Sequence, residues 1–79
     1  MPNTAYYIMP SPLAKKIGQR VRDLREAKGL SQDELAHRAG CHRTYVGMVE
    51  RAEKSISVAG LSKFAKALGT TMSSLLEGL

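Results

Sequence analysis

Three residues whose side chains can bind a metal or act as a nucleophile lie within six positions of one another: His37, Cys41 and His42. A structural zinc site needs four ligands at a regular spacing, and no fourth ligand is evident nearby. A cysteine nucleophile needs a base, an orienting acid and a cleft, and no such acid is evident. The sequence therefore predicts no metal, no cofactor and no enzymatic activity, and it favours Cys41 as a small buried hydrophobe.

A second group of residues suits contact with nucleic acid. Arg43, Thr44, Gly47 and Arg51 fall on one face of a helix at 3.6 residues per turn. An arginine can donate two hydrogen bonds to guanine O6 and N7, and a threonine can contact a base edge or a thymine methyl group. Glycine inside a helix costs about 1 kcal/mol relative to alanine. Gly47 is therefore either a position where a Cβ would crowd a groove or a tolerated small residue.

The candidate contacts form two sets, although the same residues could instead be a solvated helix face. Contacts to bases are expected from the outer face of this helix and the two residues that flank it: Arg43, Thr44, Tyr45, Gly47 and Met48. Contacts to phosphates are expected from polar residues around it: Gln32, Arg38, Arg51, Lys54 and Ser55. Phosphate contacts position a protein on DNA without reading the sequence.

Apolar spacing from residue 11 onward predicts an all-α fold of five helices without a strand. Helix 1 begins with Ser11 as N-cap and Pro12 as first residue and ends at Lys28, with a buried stripe of Leu13, Ile17, Val21 and Leu24. Helix 2 spans 32–39 behind a capping box of Ser31 and Glu34. Helix 3 spans 43–51 with His42 as its N-cap. Helix 4 follows Ser57, and a short helix 5 follows Thr71.

Composition supports a single small domain with a polyanionic partner. The chain has 79 residues, and 12 Lys and Arg against 7 Asp and Glu give a net charge of +5. Residues 1–11 carry no formal side-chain charge and are predicted to be a tail, leaving 12–79 as the domain. One cysteine, no transmembrane stretch and no signal peptide favour the cytoplasm.

Helices 2 and 3 are joined by only three residues, the spacing of a helix-turn-helix. The segment from Gly29 to Arg51, GLSQDELAHRAGCHRTYVGMVER, resembles the Xre/Cro/C1 family of bacterial and phage helix-turn-helix regulators. Within that family, Arg43-Thr44-Tyr45 followed by Glu50-Arg51 is similar to the controller proteins of restriction–modification systems. The resemblance implies a compact, lambda-repressor-like five-helix domain and an ion pair between Arg25 and Glu50.

The resemblance to controller proteins also implies a function. Such a protein is a transcription regulator on the bacterial nucleoid that binds a near-palindromic double-stranded DNA operator as a homodimer. It controls its own promoter and an endonuclease promoter, with RNA polymerase as a further partner in activation. Two alternatives stay open: another stand-alone Xre-type repressor, or an antitoxin-like or co-activator interaction module with the same fold. Binding to a membrane surface through helix 1 is disfavoured, because Asp23 and Glu26 dilute its positive charge.

The C-terminal end, residues 71–79, has more apolar side chains than one small core can absorb. Leu75 is expected to complete the monomer core. The remaining three, Met72, Leu76 and Leu79, are expected to form the dimer interface. The alternative is a frayed end whose leucines only cover the monomer.

Overall fold

Five α-helices make up residues 12–79, the part of the chain that the computed structural model describes. Their bounds are α1 Pro12–Ala27, α2 Gln32–Ala39, α3 Arg43–Glu50, α4 Val58–Ala67 and α5 Met72–Leu76. Within this range there is no strand, so the predicted five-helix, all-α fold is confirmed. Both α1 and α3 end one residue earlier than predicted, and Arg51 is the C-cap of α3. The predicted tail 1–11 and the Ser11 cap lie outside the described residues.

Side-chain caps fix where the helices begin. The hydroxyls of Ser31, Ser57 and Thr71 each accept a hydrogen bond from the backbone N–H three residues later. At α2 the box is reciprocal, because the Glu34 carboxylate accepts a hydrogen bond from the Ser31 N–H at 2.8 Å. This backbone N–H also lowers the pKa of Glu34. The polar groups at the start of α2 are thus satisfied by local sequence alone.

The hydrophobic core lies where α1, α2, α3 and α4 meet, and α5 closes it against α1 and α4. Its largest fully buried side chains are Phe64, Leu35, Leu68, Leu75, Val21 and Val46. The expected stripe of α1 is wrong at one position, because Leu13 is exposed. No residue from 12 to 16 is buried, so the first turn of the long helix α1 lies beyond the core.

The segment after α3 turns sharply into the connection to α4. Glu53 N–H donates to the carbonyl of Met48 at 2.8 Å, which closes the helix end. Ala52 occupies the left-handed region with a φ of 59° and is the only non-glycine residue of the described range to do so. Glycine is the usual residue at such a position, so Ala52 holds some backbone strain at the end of α3.

Candidate nucleic-acid interface

The turn between α2 and α3 sets the start of the candidate recognition helix. Gly40 adopts a left-handed conformation with a φ of 72°, and Cys41 N–H donates to the carbonyl of Ala36 at 2.9 Å. His42 then caps α3, and its Nδ1 accepts a hydrogen bond from the Thr44 N–H at 3.1 Å. As a result, α3 begins at the predicted Arg43, close to the end of α2.

The outer face of α3 presents the expected polar residues to solvent. Arg43 and Thr44 are exposed in its first turn, while Val46 and Val49 on the opposite face are buried. Met48 is half-buried at the side of the exposed face. The helix is therefore anchored through its apolar side and free to place its first turn in a groove.

Tyr45 lies at the other side of this face and is also half-buried. Its ring is tilted against Phe64 with the ring centroids 5.9 Å apart. A Cβ on Gly60 of α4 would lie 3.1 Å from the Tyr45 hydroxyl, so the lack of a side chain at Gly60 leaves room for the tyrosine. Burial raises the pKa of Tyr45. Tyr45 thus joins α3 to α4, with part of its side chain accessible beside the outer face.

Gly47 is covered by the side chain of Arg51, one turn further along. Gly47 is buried, and a Cβ added to it would lie 2.9 Å from Nη1 of Arg51, with the next nearest atoms, Cζ and Nη2 at 3.5 Å, in the same guanidinium. Arg51 is in turn paired with Glu53, with Nε and Oε2 2.9 Å apart. The structure therefore brings Arg51 onto the same face as Gly47.

The other residues predicted to contact phosphates differ in their solvent exposure and in their hydrogen bonds within the protein. Arg38 on α2 and Lys54 and Ser55 after α3 are exposed. Gln32, the first residue of α2, is half-buried, and its Nε2 donates to Oε1 of Glu50 at 3.0 Å. This bond was not foreseen from the sequence, because it joins residues 18 positions apart on different helices.

A buried ion pair fastens α3 to α1. Nε and Nη2 of Arg25 donate to the two carboxylate oxygens of Glu50 at 2.7 and 3.0 Å. The side chains are only 11% and 3% exposed. Nη1 of Arg25 also donates to the Leu30 carbonyl at 2.8 Å, and the hydrogen bond to Glu50 raises the arginine pKa. The pair thus satisfies both charges and ties α3 to the body of the domain.

Gly18 in the middle of α1 is a positioning residue that the sequence reading missed. A Cβ there would overlap the carbonyl oxygen of Val49 and lie 3.0 Å from that of Glu50. The backbones of α1 and the end of α3 are therefore in direct contact. The available signal was a glycine inside a helix, next to the buried Ile17, where it costs stability unless packing requires it.

Two findings on the described residues concern metal ligands and membrane-spanning helices. Among residues 12–79 there is no group of three or more His, Cys, Asp or Glu side chains placed to hold a metal ion. Burial raises the pKa of the Cys41 thiol, which disfavours the reactive thiolate. Nor does this part of the chain contain a helix long and apolar enough to cross a membrane.

The C-terminal end leaves apolar side chains uncovered. Leu75 is fully buried, as expected, and Met72 packs against the core while half-buried. Leu76 and Leu79 remain 39% and 37% exposed. Arg20, which the sequence reading did not single out, donates from Nη1 to the carbonyls of Ser74, Leu75 and Glu77. This arginine provides hydrogen bonds to the backbone carbonyl groups at the end of α5 and holds that helix on α1.

Comparison with known proteins places this geometry among regulators. Residues 21–75 match the family model HTH_3, helix-turn-helix. The chain is 43% identical over 60 residues to control protein C.SmaI of Serratia marcescens, covering 76% of this chain and 71% of that protein.

Solved structures of controller proteins share the fold. The restriction-modification controller protein C.AhdI from Aeromonas hydrophila is 47% identical, with a TM-score of 0.77 over 78% of this chain and 94% of that one. The controller protein C.Esp1396I, solved as a tetramer in complex with its natural 35-base-pair operator, is 27% identical. Its TM-score is 0.79 over 85% of this chain and 88% of that one.

Proposed function

Since the chain belongs to the helix-turn-helix family HTH_3, we propose that it is a sequence-specific, double-stranded DNA-binding transcription regulator of the restriction–modification controller type. One observation carries the proposal: α3 exposes Arg43 and Thr44 while its opposite side is locked to α1 by the Arg25–Glu50 pair. A helix held in this way can dock in a major groove with little reorganisation. The protein is a binding protein rather than an enzyme.

The base contacts we propose begin with Arg43 and Thr44, the exposed residues of the first turn of α3. The half-buried Tyr45 and Met48 reach the bases or sugars from the sides. Gly47, expected from the sequence to be a base contact, is buried beneath the Arg51 guanidinium and does not touch the DNA itself in this proposal. This division matches the way recognition helices read base edges through their N-terminal residues.

The phosphate contacts we propose lie at both ends of this unit. Arg38, Lys54 and Ser55 are exposed donors around α3. Gln32 keeps one amide N–H for Glu50, and the second N–H, together with the start of α2, is available to a phosphate oxygen. Because Glu50 also holds Arg25, the same carboxylate would link a phosphate contact to the orientation of α3.

The assembly we propose is a homodimer joined through the dimer surface Met72, Leu76 and Leu79. A two-fold symmetric protein matches a near-palindromic operator, with half-sites roughly 34 Å apart. In the manner of controller proteins it would act in the cytoplasm on nucleoid DNA, at its own promoter and that of an endonuclease. RNA polymerase would be a further partner where it activates.

The test is selection of bound duplexes from a random-sequence pool by the full chain. We expect a near-palindromic sequence to be enriched and its affinity to fall steeply with salt. Arg43→Ala should cost about 1–3 kcal/mol on that duplex and relax the preference at one base position. Lys66→Ala, which removes an exposed charge from α4, is the control and should leave that preference intact.

Two results would contradict the proposal. The first is a pool without any enriched sequence. The second is an absence of salt-dependent binding to duplex DNA, which is what an adaptor that binds only proteins would give.

A further inference from the structure

Arg51 has a more constrained environment than an ordinary surface arginine. It caps α3, and its side chain runs back along the helix, so that its guanidinium lies over Gly47 one turn earlier. Side chains on a helix lean toward the N-terminus, which favours this direction. The guanidinium is thus carried from the end of α3 toward the face that presents Arg43 and Thr44.

Glu53 holds this guanidinium by one edge only. Nε donates to Oε2 at 2.9 Å and Nη2 donates to Oε1 at 3.2 Å. A guanidinium has five N–H donors in a planar fork, and this pairing uses two of them. Both N–H groups of Nη1 and one of Nη2 are left over. One N–H of Nη1 and one of Nη2 lie side by side at the end of the fork, an edge that can pair with O6 and N7 of guanine.

Gly47 supplies the room for this arrangement. A Cβ there would lie 2.9 Å from Nη1, so any other residue would displace the guanidinium. The same contact explains a glycine in the middle of a recognition helix, where it is otherwise costly. The nearest atom that would be displaced is the end of a flexible side chain, so an alanine here meets less resistance than it would against a backbone atom.

We propose that Arg51 is a second base-reading arginine, aligned for a guanine by Glu53 and by the absence of a side chain at Gly47. The inference rests on the proposed DNA-binding function and assigns a specific role within it. It replaces the phosphate contact expected for Arg51 from the sequence. A phosphate contact needs only a flexible positive charge, whereas Arg51 is held in one orientation and shares its charge with a neighbouring carboxylate.

Glu53 acts as a positioning residue in this scheme. The Arg51–Glu53 pair is exposed, with the two side chains 56% and 54% accessible, so it adds little to folding. The hydrogen bonding from Arg51 lowers the pKa of Glu53 below its usual range, as expected for a carboxylate that accepts from a guanidinium. Its contribution would be preorganisation, because the arginine loses less side-chain freedom when it docks on a base.

The first experiment compares Arg51→Lys with the wild-type chain on the duplex selected from the random pool, on each single-base variant and on mixed-sequence DNA. Lysine keeps the charge but lacks the planar fork. We expect discrimination at one base pair to fall about ten- to a hundredfold, while affinity for mixed-sequence DNA changes less than about twofold. Glu53→Gln should weaken discrimination at the same base pair, and adding it to Arg51→Lys should produce no further loss.

Gly47→Ala separates this role from folding. Alanine favours a helix, so the thermal midpoint should stay the same or rise, while discrimination at the base pair read by Arg51 falls several-fold. The control for Glu53→Gln is Asp23→Asn, because Asp23 is an exposed carboxylate of α1 that accepts a hydrogen bond from Gln19 of the same helix at 2.8 Å. It removes an equal charge and should leave discrimination at every base pair unchanged.

The results that would overturn the inference can be distinguished from those that would also overturn the proposed function. Unchanged discrimination in Arg51→Lys would overturn the inference, with the proposed function left standing if the wild-type chain enriches a sequence. Sharper discrimination in Glu53→Gln would also overturn it, since Glu53 would then compete with DNA for Arg51. A wild-type chain that enriches no sequence would overturn the inference and the proposed function together.

Discussion

The contact of α1 with α3 and its contact with α5 are built in different ways. Against α3, α1 offers Gly18 for direct backbone contact and Arg25 for a buried, fully paired charge. Against α5, it offers Arg20, which reaches the carbonyls at the end of that helix from the surface. The first contact lacks a gap for even one methyl group, whereas the second leaves the leucines beyond it exposed.

This difference separates two tasks within a small domain. The angle of α3 is fixed inside one chain, because a recognition helix must present its side chains in a defined orientation. The α5 end is left incomplete inside one chain, and its exposed Leu76 and Leu79 are available to a second copy. Changes at the α3 contact should therefore damage folding first, and changes at the α5 end should damage assembly first.

Removing one member of the buried ion pair should have the largest effect. Glu50→Ala leaves the buried charge of Arg25 without its carboxylate and frees the Gln32 amide, so we expect a loss of about 3–5 kcal/mol in the free energy of unfolding. Urea denaturation followed by circular dichroism measures it. The double variant Arg25→Met with Glu50→Leu should be markedly more stable than Glu50→Ala. Equal stability of Glu50→Ala and the wild-type chain would mean that the pair is solvated.

The backbone contact at Gly18 should give the next largest effect. In Gly18→Ala, the new methyl group overlaps the Val49 carbonyl, so α3 must move, and we expect a loss of about 2 kcal/mol. Affinity for the selected duplex should fall with it. Gly47→Ala is the matched control for stability alone, since the atoms nearest to its methyl group belong to the flexible end of Arg51. If both alanines stabilise the protein, the close approach of α1 and α3 is wrong.

The α5 end is tested through assembly rather than folding. Leu76→Asp places a charge in the proposed dimer surface and should raise the dimer dissociation constant at least about tenfold, or 1.4 kcal/mol. Sedimentation measures the association, and circular dichroism should show native helicity. Val58→Asp, at an exposed position of α4, should remain dimeric. A dimeric Leu76→Asp variant would place the interface elsewhere.

The smallest expected effect concerns the strained residue that ends α3. Ala52→Gly relieves a left-handed backbone cost of about 1–2 kcal/mol but gives up a buried methyl group worth about 0.8 kcal/mol. We expect the free energy of unfolding, measured by thermal denaturation, to rise by about 0.5 kcal/mol. Ala59→Gly, in the first turn of α4, should instead destabilise. A loss in Ala52→Gly would mean that packing of the methyl group outweighs the backbone strain.

Local chemistry made most of the fold predictable from the sequence. The capping box of Ser31 and Glu34 and the hydroxyl caps at Ser57 and Thr71 occur where expected. The glycines after α1 and α2, Gly29 and Gly40, have the left-handed conformation that is common at the end of a helix. Each of these features depends on residues at most four positions apart, so the sequence contains all the information needed to place them.

The arrangement of side chains between helices was predictable only in part. Periodicity and the family resemblance led to the expectation that Arg25 and Glu50 meet, and the structure brings them together. Neither indicated that Gln32 would share the Glu50 carboxylate or that Arg51 would fold back over Gly47.

The sequence by itself determined which segments are helical, where most of them begin and end, and which face of α3 is polar. Only the tertiary structure decided that Gly18 is a contact point, that Leu13 lies beyond the core and that Arg51 folds back over Gly47. The physical reason is one of distance. Helix signals act within a turn or two of the chain, whereas exposure and contact depend on where a helix ends relative to neighbours that are remote in sequence.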